Sequence, residues 1–109
     1  MPSHEVTGGS RTTFGDDRVT AAFTRIDAGQ SGAIGTDAGR AACLHIVEGA
    51  GQVILGDAAE VRRASPPALK AEKGELLLIP PGAHYGFVND GREPFVVAEH
   101  RIPISVAFI

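Results

Sequence analysis

Glycine and proline interrupt this chain too often for a long helix to form. The 109 residues hold 14 glycines and 7 prolines, and these residues end helices and strands alike. Apolar runs of four to eight residues lie between them. Strands are expected over 19–26, 41–48, 52–55, 60–63, 68–72, 76–79, 84–89, 95–100 and 104–109. Residues 1–18 are polar and read as an N-terminal arm or loose first strand; 19–109 form a single domain. No segment keeps an apolar i, i+3, i+4, i+7 pattern over three turns; residues 57–64 come nearest, and Pro66 and Pro67 stop them. Short strands at roughly eight-to-twelve-residue spacing predict an all-β sandwich or barrel.

The charge pattern narrows the class further. Net charge is −3, and the basic residues are scattered rather than striped, which speaks against a nucleic-acid partner. No apolar run approaches the roughly 20 residues that span a bilayer, and no charged-then-apolar leader opens the chain. The single cysteine, Cys43, can form no internal disulfide. A cytoplasmic protein is the expectation. Arginine outnumbers lysine (Lys70 and Lys73 are the only two lysines), a bias that suits a GC-rich bacterial genome.

Two stretches carry a resemblance. Gly74, Pro80, Gly82 and Asn89 stand at the spacing G-x5-P-x-G-x2-H-x3-N, which resembles the second motif of the cupin superfamily. Leu44 to Val53, with Glu48, Gly49 and Gly51, is similar to the end of the first cupin motif. Ile26 to Gly29 resembles the step that precedes the metal loop in that motif. The resemblance spans about residues 19–102. It implies a small jelly roll, or double-stranded β-helix, whose barrel holds side chains and one small ligand.

The same resemblance implies a metal site, and the residues depart from it. Cupins that bind metal use H-x-H and a Glu in the first motif and a His in the second. Those positions hold Gly35, Asp37, Ala42 and Tyr85. Only Asp37 is an ordinary ligand type, whereas zinc and iron sites take three or more protein ligands. No cofactor is therefore expected. The runner-up is a divalent metal (Fe, Mn, Ni or Zn) on a rearranged set of His84, His100 and Asp37, or Glu99 in place of Asp37. His84 takes the inward place only if the 80–82 loop is one residue tighter. His100 faces inward with Val96 and Ala98, or else Phe95, Val97 and Glu99 do.

Strand alternation supplies the remaining candidates. Ala42, Leu44 and Ile46 face the interior and His45 the opposite side, packed or at an interface. Tyr85 and Phe87 share an inward parity. Tyr85, with His84 or His100, forms the candidate acid–base set; the Tyr85 phenol would donate a hydrogen bond, or act as an acid if its pKa were lowered. Arg40, Leu44, Phe87 and Phe23 are the candidate ligand-lining residues, and Arg25 and Arg40 flank the mouth. The expectation is a small-molecule-binding barrel, metal-independent, possessing the groups for isomerase, epimerase, cyclase or lyase chemistry. The alternatives are a metal-dependent, dioxygenase-like cupin and a non-catalytic sensor or scaffold. A homodimer is expected, because small jelly rolls leave sheet edges and an apolar outer face.

Overall fold

The computed structural model describes residues 3–6, 9–15 and 20–103. They form ten strands in two antiparallel sheets. The strands are β1 (Ser3–Val6), β2 (Gly9–Gly15), β3 (Thr20–Ile26), β4 (Gly35–Thr36), β5 (Arg40–Glu48), β6 (Ala50–Gly56), β7 (Ala68–Glu72), β8 (Leu76–Ile79), β9 (His84–Val88) and β10 (Phe95–Pro103). One sheet runs β1-β2-β3-β10-β5-β8 and the other β4-β9-β6-β7. The strand expected over 104–109, and Val19 at the head of 19–26, lie outside the described residues.

The inner faces of the two sheets enclose the core. Ile26, Leu44, Ile46, Val53, Ile79, Phe95 and Val97 are buried there, joined by Tyr85 and Phe87. Phe87 packs at 6.2 Å from the Tyr85 ring and edge-on to Phe95 at 6.4 Å. Both spacings fall within the favourable range for aromatic pairs.

Two motif residues fix the barrel's corners. Gly49 closes the β5–β6 hairpin at φ +74°, a conformation that glycine adopts without cost. A Cβ there would also run into the Pro94 carbonyl. Asn89 is fully buried. Its Nδ2 donates to the Ile26 carbonyl at 2.9 Å and the Glu93 carbonyl at 2.7 Å, and its Oδ1 accepts from the Gly91 amide at 3.0 Å. The motif asparagine thus ties the end of β3 to the turn before β10.

Three expectations are corrected. Residues 60–63 are not a strand: Glu60–Arg62 form a 3₁₀ turn. Its start is held by the Asp57 carboxylate, which accepts from the Ala59 and Glu60 amides. The turn expected over residues 49–51 is confined to Gly49, and β6 begins at Ala50. Strand β8 is not buried on both faces. Leu76 is 69% and Leu78 59% exposed, because β8 is a sheet edge and, among the described residues, no layer lies over its outer face. Within residues 1–18, for which an arm or a loose first strand is expected, β2 pairs with β3 along its whole length.

Candidate functional site

The site is built on the inward rows of the six-stranded sheet. Cross-strand register places Thr20, Arg101, Ala42 and Ile79 in one row, and Ala22, Glu99, Leu44 and Leu77 in the next. Alternation turns both rows to the interior. Strand β10 thus sends an acid and a base, two residues apart, into the barrel. On the opposite sheet, β9 points Tyr85 at them.

The three side chains form a closed triangle. The Tyr85 hydroxyl donates to Glu99 Oε2 at 2.9 Å. Arg101 Nε–H is shared between Glu99 Oε2 at 2.7 Å and the Tyr85 oxygen at 3.1 Å. Glu99 is only 2% exposed. The Arg101 Cζ lies 5.8 Å from the Tyr85 ring centroid, within cation–π range. Asp37 extends the triangle toward the rim. Its Oδ2 accepts from Arg40 Nε at 2.8 Å and lies 3.8 Å from Arg101 Nη1. Arg40 Nη1 also donates to Thr20 Oγ1 at 2.7 Å.

The electrostatics follow from burial and pairing. Burial, then the neighbouring Glu99 carboxylate, holds the Tyr85 phenol well above the usual tyrosine range, with Arg101 opposing. Tyr85 is therefore a fixed hydrogen-bond donor, and the lowered pKa that would make it a ready acid is not what its surroundings produce. Burial works against the Arg101 charge, but the Glu99 carboxylate and the Tyr85 oxygen outweigh it and hold the guanidinium more firmly protonated. Burial likewise works against the Asp37 carboxylate. The Arg40 hydrogen bond, the Gly39 amide and the charges of Arg40 and Arg101 prevail and lower its pKa.

The sequence-derived candidates divide between the two faces. Tyr85, Phe87 and Leu44 point inward as expected, and Arg40 is half-buried at the start of β5, bonded to Asp37 and Thr20. His100 does not face the barrel. It is exposed on the outer face, since β10 buries Phe95, Val97 and Glu99 on the inner one. His84 is half-buried on the side of β9 away from Tyr85. Phe23 is 47% exposed and lines no cavity, because β3 buries Ala22, Thr24 and Ile26 instead. Arg25 shares that outward parity and pairs with Asp27 at 3.2 Å, away from the mouth. His45 is exposed on the outer face, as alternation requires.

Glu99 was a candidate only as an alternative carboxylate to Asp37, and Arg101 was not among the candidates. The signal for both was the parity of β10: once Phe95 and Val97 are taken as inward, 99 and 101 follow.

The residues present do not fit a divalent metal. Among the described residues no three His, Cys, Asp or Glu side chains are grouped to hold one. Asp37, His84 and His100 are not brought together: His100 lies on the outer face and Asp37 is engaged by two arginines. Gly35 and Ala42 offer no donor side chain.

Comparison with known proteins bears on the fold. No family model matches the chain, and no curated protein matches it in sequence. Solved structures do match. The cupin domain of Schizosaccharomyces pombe Cnp3 aligns with a TM-score of 0.74 at 12% identity, over 98% of this chain and 72% of that one. A conserved protein with a double-stranded β-helix domain from Klebsiella pneumoniae aligns at 0.73 and 17% identity, over 94% and 82%. A predicted oxalate decarboxylase from Thermotoga maritima aligns at 0.71 and 12% identity, over 88% and 81%. The chain has the cupin fold, a double-stranded β-helix whose two sheets enclose the Tyr85–Glu99–Arg101 triangle.

Proposed function

We propose that this protein binds a small organic molecule at the barrel mouth, without a resident metal, and that Tyr85, Glu99 and Arg101 are the groups that engage it. The observation that carries this reading is the burial of Glu99 between a phenol and a guanidinium. A buried ion pair is weak evidence for stability, since desolvating two charges offsets most of their attraction. A barrel needs no such network to pack, and networks of this kind concentrate at functional sites.

The chemistry available is acid–base. A carboxylate accepts a proton, a phenol orients an oxygen, and a guanidinium holds developing negative charge. These are the groups that isomerisation, epimerisation or cyclisation needs. Arg40 and Asp37 would meet the ligand first. The reading includes a bacterial, cytoplasmic setting, supported by composition alone.

The test is a thermal-shift screen of small organic acids, hydroxyketones and sugars. The reading expects compounds that stabilise the wild type and fail to stabilise Arg101→Gln. A screen without hits, or hits unaffected by that change, overturns it.

A non-catalytic sensor or scaffold is a second reading. Leu44, Phe87 and Phe95 belong to the buried core, and a core filled by side chains supports this alternative. Turnover of an identified ligand would remove this alternative.

The reading also includes a homodimer through the outer face of the six-stranded sheet. Phe23, Ala98, His45 and Leu76 form one row there, and Ala21, His100, Cys43 and Leu78 the next. Neither row contains Lys, Arg, Asp or Glu, so a twofold-related copy brings none of these side chains against its own kind across the rows.

A further inference from the structure

Four positions in this chain stand where the cupin motifs would supply metal ligands: Gly35, Asp37, Ala42 and Tyr85. All four flank one side chain. Ala42 is the direct cross-strand partner of Arg101. The Tyr85 oxygen accepts from Arg101 Nε at 3.1 Å. Asp37 Oδ2 lies 3.8 Å from Arg101 Nη1. A Cβ on Gly35 would sit 3.6 Å from Arg101 Nη2.

We propose that the Arg101 guanidinium takes the place of the metal ion, and that this residue keeps the barrel from taking up a divalent cation. The two apparent losses in the first motif then have a use. Glycine at 35 and alanine at 42 leave the volume that a long side chain needs. Larger ligand side chains there would crowd the guanidinium against Tyr85. Glu99, one row deeper, supplies the counter-charge.

The substitution also changes what the cation can do. A guanidinium is always charged and planar, and it donates hydrogen bonds in a fixed fork. It orients an oxygen and holds negative charge on it. It does not bind a water and lower its pKa as a metal does. Arg101 is 21% exposed, so its outer nitrogens lie toward the mouth. Among the described residues Nη1 and Nη2 make no hydrogen bond; the 3.8 Å ion pair with Asp37 is their only polar contact. They are the donors that remain for a ligand oxygen.

The inference rests on the metal-free reading above, and the test separates the two. Untagged full-length protein is titrated with Mn²⁺ or Zn²⁺ alone by calorimetry, and bound metal is measured after gel filtration. Four proteins are compared: wild type, Arg101→Lys, Arg101→Ala and Arg101→Ala with Glu99→Gln. Circular dichroism verifies folding.

Wild type and Arg101→Lys should take up no stoichiometric ion. Arg101→Ala should bind at least about tenfold more tightly than wild type, a difference of roughly 1.4 kcal/mol. Adding Glu99→Gln should return it to the wild-type level. Arg101→Gln, which keeps most of the side-chain volume, carries the same test if the alanine variant does not fold.

Stoichiometric uptake by wild type that Asp37→Asn weakens overturns both readings. A folded Arg101→Ala or Arg101→Gln that binds no better than Arg101→Lys overturns the substitution inference alone.

Discussion

Replacing Arg101 by methionine keeps an unbranched apolar stem and removes the guanidinium and its charge. Glu99, 2% exposed, would then keep the Tyr85 hydrogen bond but lose the guanidinium that now sits 2.7 Å from its Oε2. Removing one partner of a buried pair typically costs ~3–5 kcal/mol, because the remaining charge stays desolvated. Arg101 is 21% exposed, so water enters more readily than at a fully buried pair. The lower end, about 3 kcal/mol, is the expected loss.

Urea denaturation should register this as a midpoint lowered by roughly 1.5 M, for an m-value near ~2 kcal/mol/M. The m-value itself should not change, since the fold is retained. Glu99→Gln in the same background removes the stranded charge while keeping an acceptor for Tyr85. The double variant should therefore be more stable than Arg101→Met alone, with a coupling of about 1.5–3 kcal/mol. A loss under ~0.5 kcal/mol, or single-variant losses that simply add, would refute the claim that Glu99 and Arg101 depend on each other.

Asn89→Ala removes three hydrogen bonds, one of them to the Ile26 carbonyl; it should cost about 2–4 kcal/mol, seen as a large drop in Tm by calorimetry. The Asp37 pKa lies below its ordinary 3.8 in the folded state, so its contribution is fully present above that value and fades as the pH falls through the lower folded one. Acid titration of stability between about pH 5 and 2 should therefore be shallower for Asp37→Asn than for wild type, and parallel curves would contradict the pairing with Arg40. Multi-angle light scattering should give twice the chain mass for wild type and one chain mass for the doubly substituted Leu76→Lys, Leu78→Lys variant. A wild-type monomer at high micromolar concentration would remove the dimer.

Much of the site's framework was legible from alternation and spacing. Tyr85 and Phe87 inward, and His45 outward, follow from period-two geometry once the Gly74–Asn89 motif sets the strand's phase. The loss of donors at Gly35 and Ala42 was equally plain. What replaced them was not, because Arg101 reads as the polar end of a strand that carries apolar residues at both parities. Phe95, Val96, Val97 and Ala98 give no preferred face; the choice comes from register with β3 and β5, which is a tertiary fact.

The facing of His100 and of Glu99 stayed open for the same reason. Strand β8 shows a second limit. An unbroken run of leucines looks the same whether both faces are covered by this chain or only one, and here the outer face carries Leu76 and Leu78 into the open.

The central claim is that a guanidinium, held by Glu99 and Tyr85, is the cation of this barrel. The most direct measurement is the ¹⁵N spectrum of the Arg101 Nε–H group, recorded before and after adding Mn²⁺. The structure predicts a slowly exchanging Arg101 signal that is lost in Glu99→Gln and keeps its intensity when Mn²⁺ is added. A signal that exchanges freely with water, or one that stoichiometric Mn²⁺ broadens away, would contradict it.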